Sequence, residues 1–122
     1  MSHSLRTSIA AAVLGLAVAA PAAADSLEQL DQLALASENA DHGLTLAQQQ
    51  AAAGALLDAL ATLERTLAGH PKTKRARLLH ASLLCRLDDP AGGEVEFARL
   101  KKGDFKKDEW AAARAPCTGA GQ

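Results

Sequence analysis

The chain has 122 residues and a formal net charge of −1, with 48% hydrophobic but only 2% aromatic residues. That length allows one small domain, less once any targeting segment is subtracted. A core drawn from alanine and leucine argues against sheets, which favour β-branched and aromatic residues, and for close-packed helices. The near-neutral total conceals an asymmetry. From Asp25 to Glu64 there are seven acidic residues and no lysine or arginine, whereas Arg65 to Gln122 holds twelve basic and seven acidic residues. Such a split is expected of electrostatic docking, and equally of a helical surface whose solvated charges fall unevenly.

Residues 1–24 read as an export signal rather than as fold. Arg6 supplies a positive start, Ile9 to Ala20 an uncharged apolar stretch, and Ala22-Ala23-Ala24 an A-x-A site that leaves Asp25 as the new N-terminus. The apolar run is shorter than the roughly 20 residues that span a bilayer, so no stable membrane insertion is expected after cleavage. No cysteine follows it, which argues against a lipid anchor. The alanine-rich style points to a bacterial periplasm.

Asp25 to Ala40 predicts an N-terminal capping helix, with Leu27, Leu30, Leu33, Ala34 and Leu35 at helical spacing and Ser26 with Gln29 as a capping box. Asp41-His42-Gly43 is expected to break it, so that this cap covers residues 25–43. Leu44 to Ala53 predicts a second helix ending at Gly54, and Ala55 to Ala68 a third, closed by Gly69-His70-Pro71. Lys74 to Leu87 predicts a fourth. Asp89 then caps a fifth helix with Pro90 at its first position, and that helix stops by Gly103. Lys107 to Arg114 predicts a short sixth helix carrying Trp110, ended by Pro116 and followed by a loose tail from Thr118.

The helix pairs superpose at a period of 34 residues. Ala47 matches Ala81, Ala59 matches Gly93, Leu63 matches Phe97 and Gly54 matches Asp88; Pro71 matches Phe105, so that end differs. The stretch LTLAQQQAAAGALLDALATLERTLAGHP, Leu44 to Pro71, has the order small residue, turn glycine, alanine, large apolar residue, closing proline. ARLLHASLLCRLDDPAGGEVEFARL, Ala76 to Leu100, fits a second copy. On these residues the chain resembles the tetratricopeptide repeat family. The resemblance implies an all-α, right-handed helical-hairpin solenoid of about two repeats over residues 44–107, with a capping helix and tail at 108–122. The first copy lacks the usual aromatics and the second has Asp88 for the turn glycine.

In that family the first helices of each pair line a groove that holds an extended peptide or a partner helix. The resemblance therefore implies that Arg75, Leu78, Ser82, Cys85 and Arg86 face a partner, together with Gln48, Leu44, Ala51 and Ala52. Arg75 and Arg86 are suited to carboxylates through bidentate guanidinium contacts, or are simply solvated surface charges. The asparagines of the family's carboxylate clamp have no counterpart here. For an exported chain a Cys85–Cys117 disulfide is the default expectation. The repeat geometry supports it, because 32 residues is almost one period and sets Cys117 beside Cys85 from the next layer. The alternative is two independent thiols.

No nucleophile elbow, phosphate loop or HExxH motif is present, and Asp88-Asp89 before Pro90 reads as a cap rather than a catalytic pair. His42, His70 and His80 are scattered and the cysteines lack CxxC spacing, so no metal or cofactor is expected. There are two basic clusters, Lys72, Lys74, Arg75 and Arg77, and Lys101, Lys102, Lys106 and Lys107, but export, the near-neutral net charge and the scarcity of aromatics argue against nucleic acid as the partner. The sequence therefore predicts a non-catalytic, exported protein-interaction module of the cell envelope, an adaptor or assembly factor. The alternatives are a self-associating helical protein, as a homo-oligomer, and an accessory subunit of an envelope enzyme.

Overall fold

The structure, a computed structural model, describes residues 22–119. Six α-helices and two 3-10 turns make up the described chain, with no strand among the described residues: α1 Ala22–Glu38, α2 Ala40–Ala52, α3 Leu56–Gly69, α4 Lys74–Arg86, α5 Pro90–Ala98, a 3-10 turn Lys102–Asp104, α6 Lys107–Arg114 and a 3-10 turn Ala115–Thr118. The all-α expectation holds. Helices α2 and α3 form one hairpin and α4 and α5 a second, with α3 packed on α4. Helix α1 lies on α2 and α3, and α6 with the turn after it lies on α4. No helix among the described residues is long and apolar enough to cross a membrane.

Both hairpins turn in the same way. At the end of α2, Ala55 N–H donates to Gln50 O and Gly54 N–H to Ala51 O; at the end of α4, Asp89 N–H donates to Leu84 O and Asp88 N–H to Cys85 O. This pattern satisfies the orphan carbonyls of a helix end when the residue after the cap is left-handed. Gly54 and Asp88 take that conformation, with φ of 81° and 62°. Asp89 then caps α5 by accepting from Gly92 N–H at 2.8 Å, with Pro90 in the first turn, as the sequence predicts.

The matched small residues are the ones that let helices approach. Ala47, Ala59 and Ala81 are fully buried, and Gly93 is buried too. Leu63 and Phe97, the matched large residues, are 0% and 2% exposed. Two core clusters result. Ala47, Ala51, Ala59, Leu63, Ala76 and Leu83 form one; Leu78, Ala81 and Phe97 form the other, against Trp110, Phe105 and Cys117.

The first helix boundary departs from expectation. The break falls at Asn39, and Asp41, His42 and Gly43 lie inside α2, so the first hairpin starts at Ala40 rather than Leu44. Asn39 causes this: its Oδ1 accepts from Asp41 N–H at 2.8 Å and His42 N–H at 3.3 Å, which starts a helix there. Gly43 serves packing instead of a break, since a Cβ would collide with the Thr66 side chain on α3. Ser26 lies within α1, which begins at Ala22, so it is not the cap. The export segment read at residues 1–24 lies outside the described residues up to position 21, and so does the end of the tail, residues 120–122.

Candidate interaction site

Helix α6 determines what α4 can present. Cys85 and Cys117 are joined, with Cα atoms 4.9 Å apart across 32 residues of sequence. Trp110 packs edge-on to Phe97, with centroids 5.4 Å apart at 71°, and against Phe105 at 5.7 Å. Arg114 stacks over the Phe97 ring at 4.7 Å and pairs with Glu94 at 2.9 Å. These contacts fold the end of the chain back onto α4. They require Gly93, because a Cβ there would meet the Cys85 sulfur and lie 2.9 Å from Ala81 O.

As a result the α4 residues expected to face a groove are largely covered. Leu78 is 4% exposed, Ser82 8% and Cys85 2%. Leu78 is a core side chain of the second cluster, and the little of it that stays exposed lines the recess described next. The physical reason is that α6 and the turn after it pack on α4 and bury this stripe.

A recess remains between α2, α4 and α6, with a volume of about 360 Å³. Gln48 contributes from α2; Arg75, Leu78, Leu79 and Ser82 from α4; Glu109, Ala112 and Ala113 from α6. Four of the nine residues expected to face a partner thus converge there, and Leu44, Ala51, Ala52 and Cys85 do not line it. Nor does Arg86: it is exposed at the end of α4, away from the recess lining. Arg75 Nε lies 3.5 Å from Glu109 Oε1, with the Arg75 side chain 67% exposed. That pair spans the rim, so the guanidinium is held at the opening with most of its donors toward solvent. Four apolar side chains, Leu78, Leu79, Ala112 and Ala113, and four polar ones, Gln48, Arg75, Ser82 and Glu109, share the lining. Glu109 and the two alanines of α6 were not legible as site residues, because only the fold-back of α6 brings them opposite α4.

A second polar cluster joins the hairpins. Glu96 of α5, 9% exposed, accepts from Arg77 Nη1 at 2.7 Å and Arg99 Nη1 at 3.0 Å. Arg77 also donates to Pro71 O at 3.0 Å. This moves Arg77 out of the solvated basic cluster read from the sequence and into a half-buried ion pair. His80 sits between two carboxylates, with Nδ1 3.6 Å from Glu96 and Nε2 3.7 Å from Glu64. Both ring nitrogens are buried and have no hydrogen-bond partner.

Comparison of the chain with protein-family models, with curated proteins and with solved structures finds no match.

Proposed function

We propose that this chain is an exported, non-catalytic interaction module of the bacterial cell envelope, an adaptor or assembly factor built as a short tetratricopeptide-like stack. In this reading the recess between α2, α4 and α6 receives an extended segment of a partner protein. The observation that carries it is the convergence of Gln48, Arg75, Leu78 and Ser82 on one recess. The partner segment places an apolar side chain over Leu78, Leu79 and the α6 alanines. A carboxylate of the same segment takes the outward donors of Arg75, while Gln48 and Ser82 supply polar contacts. The repeat reading is supported by the matched caps and matched small residues 34 positions apart.

The test is capture of partners from native periplasm by wild type and by Arg75→Glu and Arg86→Glu variants. One dominant partner is expected with wild type and Arg86→Glu, and is expected to be lost with Arg75→Glu. Equal recovery by Arg75→Glu would overturn the recess as the binding site. Cell fractionation with N-terminal sequencing tests export: a mature chain starting at Asp25 is expected, and a chain retained in the cytoplasm with Met1 would refute it.

A further inference from the structure

The two ends of the helical stack carry unpaired charge of opposite sign. At the α1 end, Glu28, Asp31 and Asp58 have no salt-bridge partner among the described residues. They lie beside large apolar side chains left in water: Leu27 is 65% exposed, Leu30 58% and Leu57 71%. Leu27, Leu30 and Ala34 follow helical spacing along α1, while Leu33 and Ala36 turn inward. Helix α1 therefore has two apolar stripes and uses only one against α2 and α3.

At the opposite end, Lys101, Lys102, Lys106 and Lys107 bracket the 3-10 turn and the start of α6. None has a carboxylate partner, although their neighbours do. Lys74 is bound to Asp104 at 2.7 Å and Arg99 to Glu96 at 3.0 Å. Asp104, Glu96 and Glu109 are thus already engaged, and Asp108 beside Lys107 forms no ion pair among the described residues, so the four lysines leave this edge with an excess of positive charge.

We propose that the two ends are partners for each other in different copies: the acidic, leucine-bearing α1 edge of one molecule docks on the lysine edge of the next. Several features favour a second copy as the occupant. The surfaces are complementary in charge, and they are supplied by one chain in equal number. From Asp25 onward the chain has 12 basic and 14 acidic residues, a net charge of −2 that gives little overall repulsion to oppose association. Docking also covers Leu27 and Leu30, which nothing among the described residues covers. Because the two surfaces differ, the contact is head-to-tail. Each added copy leaves one free edge of each kind, so assembly is open-ended unless the rotation between copies closes a ring. The recess between α2, α4 and α6 is not part of either edge, so this inference is independent of the partner reading above.

The test is sedimentation of the processed native chain over a range of concentrations. The comparison is between low salt, about 0.01 M with a Debye length of about 30 Å, and high salt, about 1 M with about 3 Å. The expected result is a mean mass that grows with concentration at low salt and falls to the monomer at high salt. Two variants locate the contact: E28K/D31K/D58K at the α1 edge, and K101E/K102E/K106E/K107E at the lysine edge. Each alone is expected to weaken self-association more than about tenfold, because like charges then face each other. An equimolar mixture of the two is expected to restore association, since both edges of one variant are then basic and both edges of the other acidic. Circular dichroism confirms that both variants stay helical. A monomer at low salt across all concentrations overturns the proposal and leaves the lysine edge to an acidic partner of another kind. Association unchanged in either variant overturns it as well.

Discussion

Gly54 and Asp88, 34 residues apart, hold the same left-handed backbone conformation at the same point of two successive hairpins. Three hydrogen bonds around them also correspond at that spacing, those donated by Ala53, Gly54 and Ala55 and by Leu87, Asp88 and Asp89. Glycine enters this region freely, whereas an L-residue brings its Cβ close to the following carbonyl, at a cost of roughly 1–2 kcal/mol, least for Asn and Asp. Asp88 is thus the strained member of the pair. Asp88→Gly is expected to raise stability by about 0.5–1 kcal/mol, the strain relief being offset partly by the greater freedom of glycine in the unfolded chain. Gly54→Ala is expected to lower it by about 1 kcal/mol, and the cost is purely conformational because a Cβ there meets nothing within 4 Å. Urea midpoints of the two variants check this. A destabilised Asp88→Gly would show that the carboxylate has a role beyond tolerating the turn.

The two helical hairpins were legible because their signals are local and chemical. Small residues at Ala47 and Ala81, the Asp89-Pro90 start and the Gly54 turn each act through their immediate neighbours. The start of α2 was misread for the same reason: Gly43 resembles a breaker in sequence, and only the approach of Thr66 from α3 makes it a packing residue. The recess was half legible. Gln48, Arg75, Leu78 and Ser82 are positions that the resemblance to tetratricopeptide repeats implies. Glu109 and Ala113 depend on where α6 lands, and α6 is placed by long-range contacts of Trp110 and Cys117 that periodicity cannot express. Glu96 escaped notice altogether, since its partner Arg77 is nineteen residues away with no motif linking them.

The disulfide is expected to hold α6 in place as well as to stabilise the fold. Closing a loop of this length contributes roughly 3–4 kcal/mol on the chain-entropy model. Trp110 is the only tryptophan, so its emission reports on α6 alone. Reduction, or a Cys117→Ala substitution, is expected to lower the urea midpoint and to shift Trp110 emission to the red as the ring leaves Phe97 and Phe105. An unshifted emission under full reduction would mean that the aromatic contacts and the Arg114–Glu94 pair suffice to hold α6.

The polar cluster between the hairpins makes two predictions of opposite sign. Glu96→Ala strands Arg77, whose side chain is only 18% exposed, without its carboxylate, and is expected to cost about 3 kcal/mol. His80→Leu removes two buried ring nitrogens that make no hydrogen bond, so it is expected to be neutral or stabilising by up to about 1 kcal/mol. Thermal and urea unfolding of both variants decide the matter. A loss of more than about 1 kcal/mol with His80→Leu would show that His80 contributes through its contacts with Glu64 and Glu96 despite the absence of a hydrogen bond.

Gly93 couples the second hairpin to the disulfide. On helix propensity alone, alanine in place of a mid-helix glycine gains about 1 kcal/mol. Here the added Cβ would collide with the Cys85 sulfur, lie 2.9 Å from Ala81 O and sit 3.4 Å from the Cys117 sulfur. Backbone on one side and a covalent bridge on the other leave nothing free to move. Overpacking of this kind costs about 1–3 kcal/mol, so Gly93→Ala is expected to destabilise in spite of its propensity. The collision has a named partner, which makes the effect separable. In a Cys85→Ala background the sulfur is gone, and the same Gly93→Ala change is expected to cost about 1–2 kcal/mol less, a coupling that a double-mutant cycle measures directly. If the cost of Gly93→Ala is unchanged in that background, the limiting contact is the Ala81 carbonyl, and α4 and α5 are held at this distance by the backbone rather than by the bridge.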